Sequence, residues 1–185
     1  MKKIKLPIKL YNHKISGYCL IGAYLTVRNT FEKDFNPLKE EKLLYKKLKN
    51  NINTVELIKL LNKNNYSTRI FSEKDYRNFT KQNNKLSNLA KNYIEVLNKF
   101  NIYEETGILP NPKLIKECLE SGEIILANGV KENNPHMRII FGYENEEFLI
   151  SDTSEKETFK VSFKTLKKLL KAPSGYWIVA TKILN

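Results

Sequence analysis

The feature that most constrains this chain is the separation of two hydrophobic patterns along its length. Apolar residues recur at helical spacing through most of the first two thirds, as with Leu20, Tyr24, Val27 and Phe31. The last third instead carries short, nearly continuous apolar runs that are typical of strands, such as "EIILANGV" and "HMRIIFGY". Helices and strands segregated in this way favour an α+β fold over an alternating parallel sheet.

Local signals mark where several of the predicted helices begin and end. Asn53 and Glu56 are spaced like a capping box at the start of "NTVELIKLLNKN". In "PNPKLIKECLESG", Asn111 is placed as the cap, Pro112 is the first helical residue and Gly122 follows the end. Further helices are predicted in "KEEKLLYKKLK", "LSNLAKNYIEVLNKF" and "KTLKKLL", and further strands in "YSTRIF", "EFLISDT", "ETFKVSF" and "GYWIVATKIL".

Length and composition indicate one globular domain. A chain of 185 residues with 41% hydrophobic and 28% charged residues can bury a sizeable core and is not of the disordered class. We therefore predict a single domain over residues 1–185, mainly helical over 1–105 and mainly β over 106–185. No run approaches the length of a membrane span, and "MKKIKLPIKL" lacks the apolar stretch of a signal peptide. We expect a reducing, cytoplasmic setting and no membrane partner.

The net charge of +12 raises the question of a nucleic-acid partner. The basic residues are mostly lysines scattered among asparagines along the whole chain, and arginine, which binds phosphate in a planar fork, is scarce. No recognised nucleic-acid-binding motif accompanies the charge. We therefore do not expect a dedicated nucleic-acid partner, and the charge instead favours anionic substrates.

Three residues have the chemistry of a nucleophilic site. With Ser16 as a candidate cap, Cys19 falls in the first turn of its helix, where the dipole and free N–H groups favour a thiolate. His136 opens a strand after the loop "KENNP" and can take the thiol proton, while Asp152 closes the next strand and can hold the imidazole. The alternative is that Cys19 is a small buried hydrophobe, as we expect for Cys118 on its amphipathic helix.

The hairpin that carries the last two of these residues sets a geometric condition. A tight turn at Asn145 and Glu146 would place Ile139 opposite Asp152. His136 would then lie about 10 Å further along its strand and point to the other face of the sheet. A His136–Asp152 pair therefore requires either a longer turn or a β-bulge that shifts the register by an odd number of residues.

Three blocks of the sequence resemble the papain-like cysteine peptidases of the C39 type, which include bacteriocin-leader peptidases and their stand-alone relatives. The blocks are "SGYCLIGAYLTV", "LIKECLESGEIILANGV" and "PHMRIIFGYENEEFLISDT". In the last of them His136, Gly142, Tyr143 and Asp152 follow the family's order. The resemblance implies a papain-like (cysteine proteinase) fold, with an N-terminal helical half that carries the catalytic helix and a C-terminal antiparallel sheet. It also implies that Cys19 is the nucleophile, His136 the general base and acid, and Asp152 the orienting carboxylate.

The sequence departs from this family at two positions near the cysteine. The family usually has glycine directly after the cysteine, where this chain has Leu20. It also has a glutamine six residues before the cysteine, whose amide helps the cysteine backbone N–H to bind the oxyanion, and here that position is His13, next to Asn12. Both side chains can donate an N–H, so His13 and Asn12 are the implied oxyanion residues.

The function that these residues favour is a cysteine-dependent hydrolase or acyl transferase acting on a peptide, amide or isopeptide bond through a thioester. Its partner would be a peptide or protein substrate. No cofactor is expected, and because no short ligand spacing such as C-x-x-C occurs, neither is a metal site. Two alternatives remain, namely a non-catalytic module of the same fold that binds a peptide or leader segment, and a basic nucleic-acid binder.

Overall fold

The computed structural model describes residues 3–13, 19–48, 53–73, 84–131, 134–153, 158–171 and 177–183. Its helices are α1 (Cys19–Phe31), α2 (Pro37–Leu48), α3 (Thr54–Lys63), α4 (Asn84–Lys99), α5 (Pro112–Glu120) and α6 (Phe163–Leu170). Its strands are β1 (Ile4–Lys5), β2 (Tyr66–Ser72), β3 (Tyr103–Thr106), β4 (Ile124–Lys131), β5 (Asn134–Glu144), β6 (Glu147–Asp152), β7 (Thr158–Ser162) and β8 (Trp177–Ile183). None of the helices in these ranges is long and apolar enough to cross a membrane.

The predicted helix caps are present where the structure describes them. The Oδ1 of Asn53 accepts the backbone N–H of Glu56 at 3.1 Å, and the Oδ1 of Asn111 accepts the N–H three residues on at 2.9 Å. Gly122 follows α5 in the left-handed region, with φ +77°. These side chains satisfy N–H groups that a helix start leaves without intrahelical partners. The candidate cap Ser16 lies outside the described residues.

The strands form one sheet in the order β3-β2-β8-β4-β5-β6-β7, with β1 paired on β5. Every pairing is antiparallel except that of β3 with β2. The predicted α+β class is confirmed, but the sheet also takes β1, β2 and β3 from the mainly helical part of the chain. The sequence did not indicate β1 and β3, because strands of two and four residues are too short to show an alternating pattern.

Both faces of the sheet are covered by helices, which explains the continuous apolar runs of its strands. Ile124 and Leu126 on β4 pack in a core with α1, α3 and α4. The intervening Ile125 and Ala127 pack in a second core with α5 and α6. Because alternate strand residues point to opposite faces, a strand that is buried on both sides must be apolar at every position.

Residues 6–13, which we call the N-terminal arm, run along α1 in the opposite direction to the helix. The backbone N–H of Lys9 donates to Thr30 Oγ1 at 3.0 Å, and that of Tyr11 donates to Thr26 Oγ1 at 3.1 Å. Two extended residues span about 6.6 Å and four helical residues span about 6 Å. Every second residue of the arm can therefore contact every fourth residue of α1. The arm therefore delivers its last residues to the N-terminal end of α1.

We predict that the buried hydroxyl of Thr26 contributes more to the free energy of unfolding, through its bonds to the arm, than the hydroxyl of Thr30. Thr26 is fully buried, and its Oγ1 accepts the N–H of Tyr11 and donates to the Tyr11 carbonyl at 3.4 Å. Thr26→Val keeps the shape but leaves two arm groups unpaired, so the free energy of unfolding should fall by about 1–3 kcal/mol. In the matched control Thr30→Val, water can replace the bond to Lys9, and the loss should stay below about 1 kcal/mol. Equal losses in urea unfolding would contradict the prediction.

Candidate active site

The hairpin between β5 and β6 has a two-residue turn and a β-bulge. Asn145 and Glu146 form the turn with φ of 50° and 65°, as a type I′ turn requires, and Tyr143 pairs with Phe148 next to it. At Phe141 the register then shifts by one residue, because this residue of β5 has no partner on β6. A His136–Asp152 pair requires either a longer turn or a β-bulge, and the hairpin contains the bulge.

The bulge brings Asp152 and His136 to the same face of the sheet. With the shifted register Asp152 pairs with Arg138 rather than with Ile139. His136 lies two residues from Arg138 on the same strand, and its side chain therefore points to the same face as that of Asp152. Asp152 Oδ1 lies 2.6 Å from His136 Nε2, which is a short hydrogen bond between two largely buried groups.

Cys19 is the first residue of α1, and this helix packs against β5. Its side chain is half-buried and lies close enough to the His136 ring to raise the pKa of that ring. Because the Nε2 of His136 is bonded to Asp152, the Nδ1 is the ring nitrogen that remains for the thiol. The structure thus brings together all three residues of the predicted triad, in the order thiol, imidazole, carboxylate.

The surroundings of His136 change its proton affinity in opposing directions. Burial of the ring would lower its pKa, whereas the hydrogen bonds to Asp152 and Cys19 raise it and prevail, which puts the pKa of His136 at about 9. The imidazolium is then the dominant form near neutral pH. A protonated imidazole beside the thiol favours the thiolate–imidazolium pair that nucleophilic attack requires.

The end of the N-terminal arm lies one helical turn from Cys19. At Gly22 an added Cβ would be 2.6 Å from the Cδ2 of His13 and 3.2 Å from the carbonyl oxygen of Thr153. Only glycine therefore lets the His13 ring and the residue that follows β6 approach the helix this closely. The Oδ1 of Asn12 is buried and has no hydrogen-bond partner among the residues that the structure describes. Of the two implied oxyanion residues, His13 thus reaches the N-terminal part of α1, and Asn12 precedes it in the arm.

Two further cations lie near Asp152, and sequence reasoning missed both. Lys131 Nζ is 3.4 Å from Asp152 Oδ2, and the buried Arg138 donates to the carbonyl of Leu169 at 3.0 Å. Among so many lysines nothing distinguishes Lys131 in the sequence. Arg138 could have been recognised, because it is a single charge inside the run "HMRIIF". Gly22 also carried a signal, since a glycine inside a helix usually has a packing reason.

The second cysteine is unsuited to nucleophilic chemistry. Cys118 is buried in the core against α6 and the sheet, as predicted from its helix pattern. Burial, and secondarily the nearby carboxylate of Glu123, raise its pKa to about 12. At neutral pH this thiol therefore stays protonated, and Cys19 is the cysteine available for reaction.

Comparisons with known proteins identify the fold. No protein-family model matches the chain, and no curated protein matches its sequence. Among solved structures, the peptidase domain of Streptococcus ComA, a bifunctional ABC transporter involved in a quorum-sensing pathway, aligns with a TM-score of 0.53. The alignment covers 95% of this chain and 98% of that one, at 12% sequence identity. This chain has a papain-like peptidase fold. The resemblance of the three sequence blocks to the C39 type is thereby confirmed at the level of the fold.

The raised pKa of His136 predicts a pH dependence of stability for this papain-like domain. A group whose pKa is higher in the folded state stabilises the protein fully below its unfolded pKa of about 6.5 and loses that contribution as pH rises through its folded pKa. In the Cys19→Ala background no thiol titration offsets that of the imidazole, and the hydrogen bond to Asp152 still raises the pKa of His136, so the advantage of Cys19→Ala over Cys19→Ala/His136→Gln should shrink between pH 6.5 and 9. The decrease should be up to about 3 kcal/mol. Urea unfolding across this range measures it, and an advantage that is constant with pH would contradict the prediction.

Proposed function

We propose that this protein is a cysteine-dependent hydrolase or acyl transferase that acts on a peptide, amide or isopeptide bond through a thioester. The observation that carries the proposal is that His136 is hydrogen-bonded to Asp152 at 2.6 Å and that Cys19, at the start of α1, acts on the same imidazole. Cys19 is the nucleophile, His136 the general base and acid, and Asp152 the carboxylate that orients the imidazole. The papain-like fold shared with a known peptidase domain supports the same chemistry.

In the first step the Cys19 thiolate attacks the acyl carbon, which forms an S–C bond and moves the carbonyl electron pair onto oxygen. The backbone N–H of Cys19 stabilises this oxyanion, because the first N–H groups of a helix have no intrahelical partner. The second donor comes from the end of the arm, as the ring N–H of His13 or the side-chain amide of Asn12. The intermediate collapses when the C–N bond breaks and the imidazolium of His136 gives its proton to the leaving amine.

The second step returns the enzyme to its resting state. Neutral His136 takes a proton from water, which attacks the thioester and breaks the S–C bond, and the thiolate–imidazolium pair is restored. If an amine takes the place of water, the same residues transfer the acyl group. The substrate is a peptide or protein, and the net charge of +12 favours an anionic one. A reducing, cytoplasmic setting belongs to the proposal, because an oxidised Cys19 cannot attack an acyl carbon.

Alkylation of the thiol tests the nucleophile. An isolated cysteine with a pKa of about 8.5 is almost entirely protonated at pH 6, whereas a thiolate paired with imidazolium reacts at that pH. Iodoacetamide should therefore modify wild-type Cys19 at pH 6 at least ~10-fold faster than free cysteine. His136→Ala should abolish this advantage, and Asp152→Asn should reduce it. Cys118→Ala is the matched control and should leave the rate unchanged, since that thiol is buried.

A wild-type rate equal to that of free cysteine, together with no effect of His136→Ala, would contradict the proposal. The alternative of a non-catalytic module of the same fold that binds a peptide or leader segment would then replace it. A nucleic-acid binder would instead show affinity that falls steeply with salt concentration.

A chromogenic ester separates the oxyanion donors from the nucleophile. Acylation of Cys19 by p-nitrophenyl acetate passes through an oxyanion, whereas alkylation by iodoacetamide does not. Loss of a single oxyanion donor typically slows the chemical step by about 100-fold or more, so the true donor should show a loss of this order. We expect it in His13→Ala or in Asn12→Ala, with the alkylation rate unchanged in both. If neither substitution slows acylation, the arm does not supply the second donor.

A further inference from the structure

The Asp152 carboxylate is shared between two cationic groups, one at each oxygen. His136 Nε2 lies 2.6 Å from Oδ1, and Lys131 Nζ lies 3.4 Å from Oδ2. The two cations come from different strands, since His136 is on β5 and Lys131 is the last residue of β4. The Asp152 side chain is only 4% exposed, whereas that of Lys131 is 34% exposed and borders on solvent.

We propose that Lys131 is a positioning residue that sets the proton affinity of the His136 imidazole by sharing the Asp152 carboxylate. A carboxylate beside an imidazole stabilises its protonated form. An ammonium on the other carboxylate oxygen neutralises part of that negative charge and weakens the effect. In papain-like proteases with a Cys-His-Asn triad the third residue is neutral, and Lys131 moves Asp152 toward that condition.

The consequence for the reaction rests on the function proposed above. A carboxylate without its lysine would hold the proton on His136 more tightly. Release of this proton to the leaving amine would then be slower, and neutral imidazole, which activates water, would be scarcer at neutral pH. Lys131 thereby keeps the imidazolium acidic enough to act in both directions.

The other charged groups around this pair come from three further positions. Arg138 lies opposite Asp152 on β5, but it is buried and its guanidinium binds the carbonyl of Leu169 at the end of α6. Cys19, the first residue of α1, acts on the same imidazole, and His13 lies at the end of the arm, against α1. Arg138 contributes a fixed positive field, whereas Lys131 is held on the carboxylate by a contact at the edge of solvent.

The test measures the pKa of His136 directly, by the pH dependence of its ring Cε1–H signal in NMR. The chain has two histidines, and His13→Gln assigns the signals. Lys131→Met should raise the pKa by ~0.5 pH unit or more, with the size limited by the partial exposure of the lysine. Lys131→Arg should keep the wild-type pKa. Lys113→Met, which removes a lysine with an 87% exposed side chain on α5, is the matched control for the loss of one charge and should have no effect.

A second background separates sharing of the carboxylate from a direct effect on the ring. In Asp152→Asn the lysine has no carboxylate to hold it, so the added change Lys131→Met should shift the pKa by much less than in the wild type. An unchanged or lowered pKa in Lys131→Met would overturn the proposal. A shift of the same size in both backgrounds would also overturn it, because Lys131 would then act without Asp152.

Failure of this proposal differs from failure of the proposed function. Suppose that wild-type Cys19 is alkylated rapidly at pH 6 but that Lys131→Met does not change the pKa of His136. The proposed role of Lys131 is then wrong, whereas the assignment of Cys19 as the nucleophile is supported. If Cys19 reacts like free cysteine while the pKa still rises in Lys131→Met, the sharing is supported and the catalytic function is wrong. Near-ultraviolet circular dichroism of each variant checks that the fold is intact.

Discussion

The candidate site depends on one unpaired residue in the β5–β6 hairpin. The type I′ turn at Asn145 and Glu146 fixes the pairing next to the turn, and in a regular ladder that pairing would put Asp152 opposite Ile139, on the wrong face for His136. The bulge at Phe141 corrects the face by a single residue. Turn chemistry alone would separate the carboxylate from the imidazole, so the bulge is a requirement of the site and not an irregularity of the sheet.

The same bulge anchors the beginning of the chain. The carbonyl of Phe141 accepts the backbone N–H of Leu6 at 2.9 Å, next to the short pairing of β1 with β5. From there the N-terminal arm follows α1 until the His13 ring reaches Gly22. The position of the candidate oxyanion residues and the register of β5 and β6 therefore both depend on Phe141. A disturbance at Phe141 would affect both.

The sequence could predict interactions between residues that are close in the chain, but not the register between strands or the contacts that depend on it. The caps at Asn53 and Asn111 depend on side chains within three residues, and both are present as predicted. The need for a bulge or a longer turn followed from counting residues, but the choice between them depends on packing that no local pattern records. The contact of Lys131 with Asp152 joins two strands through the order of the sheet, and lysine is too common in this chain to mark the position.

The electrostatic balance of the site connects these geometric facts to its chemistry. Burial of His136 alone would favour the neutral ring and leave no imidazolium to stabilise the thiolate. Asp152 reverses that preference, but a buried carboxylate acting alone would make the proton hard to release. A cation on its second oxygen limits the reversal, and Lys131, the last residue of β4, supplies that cation. The proton affinity of the His136 imidazole is thus set by opposing effects, each of which comes from a different structural element.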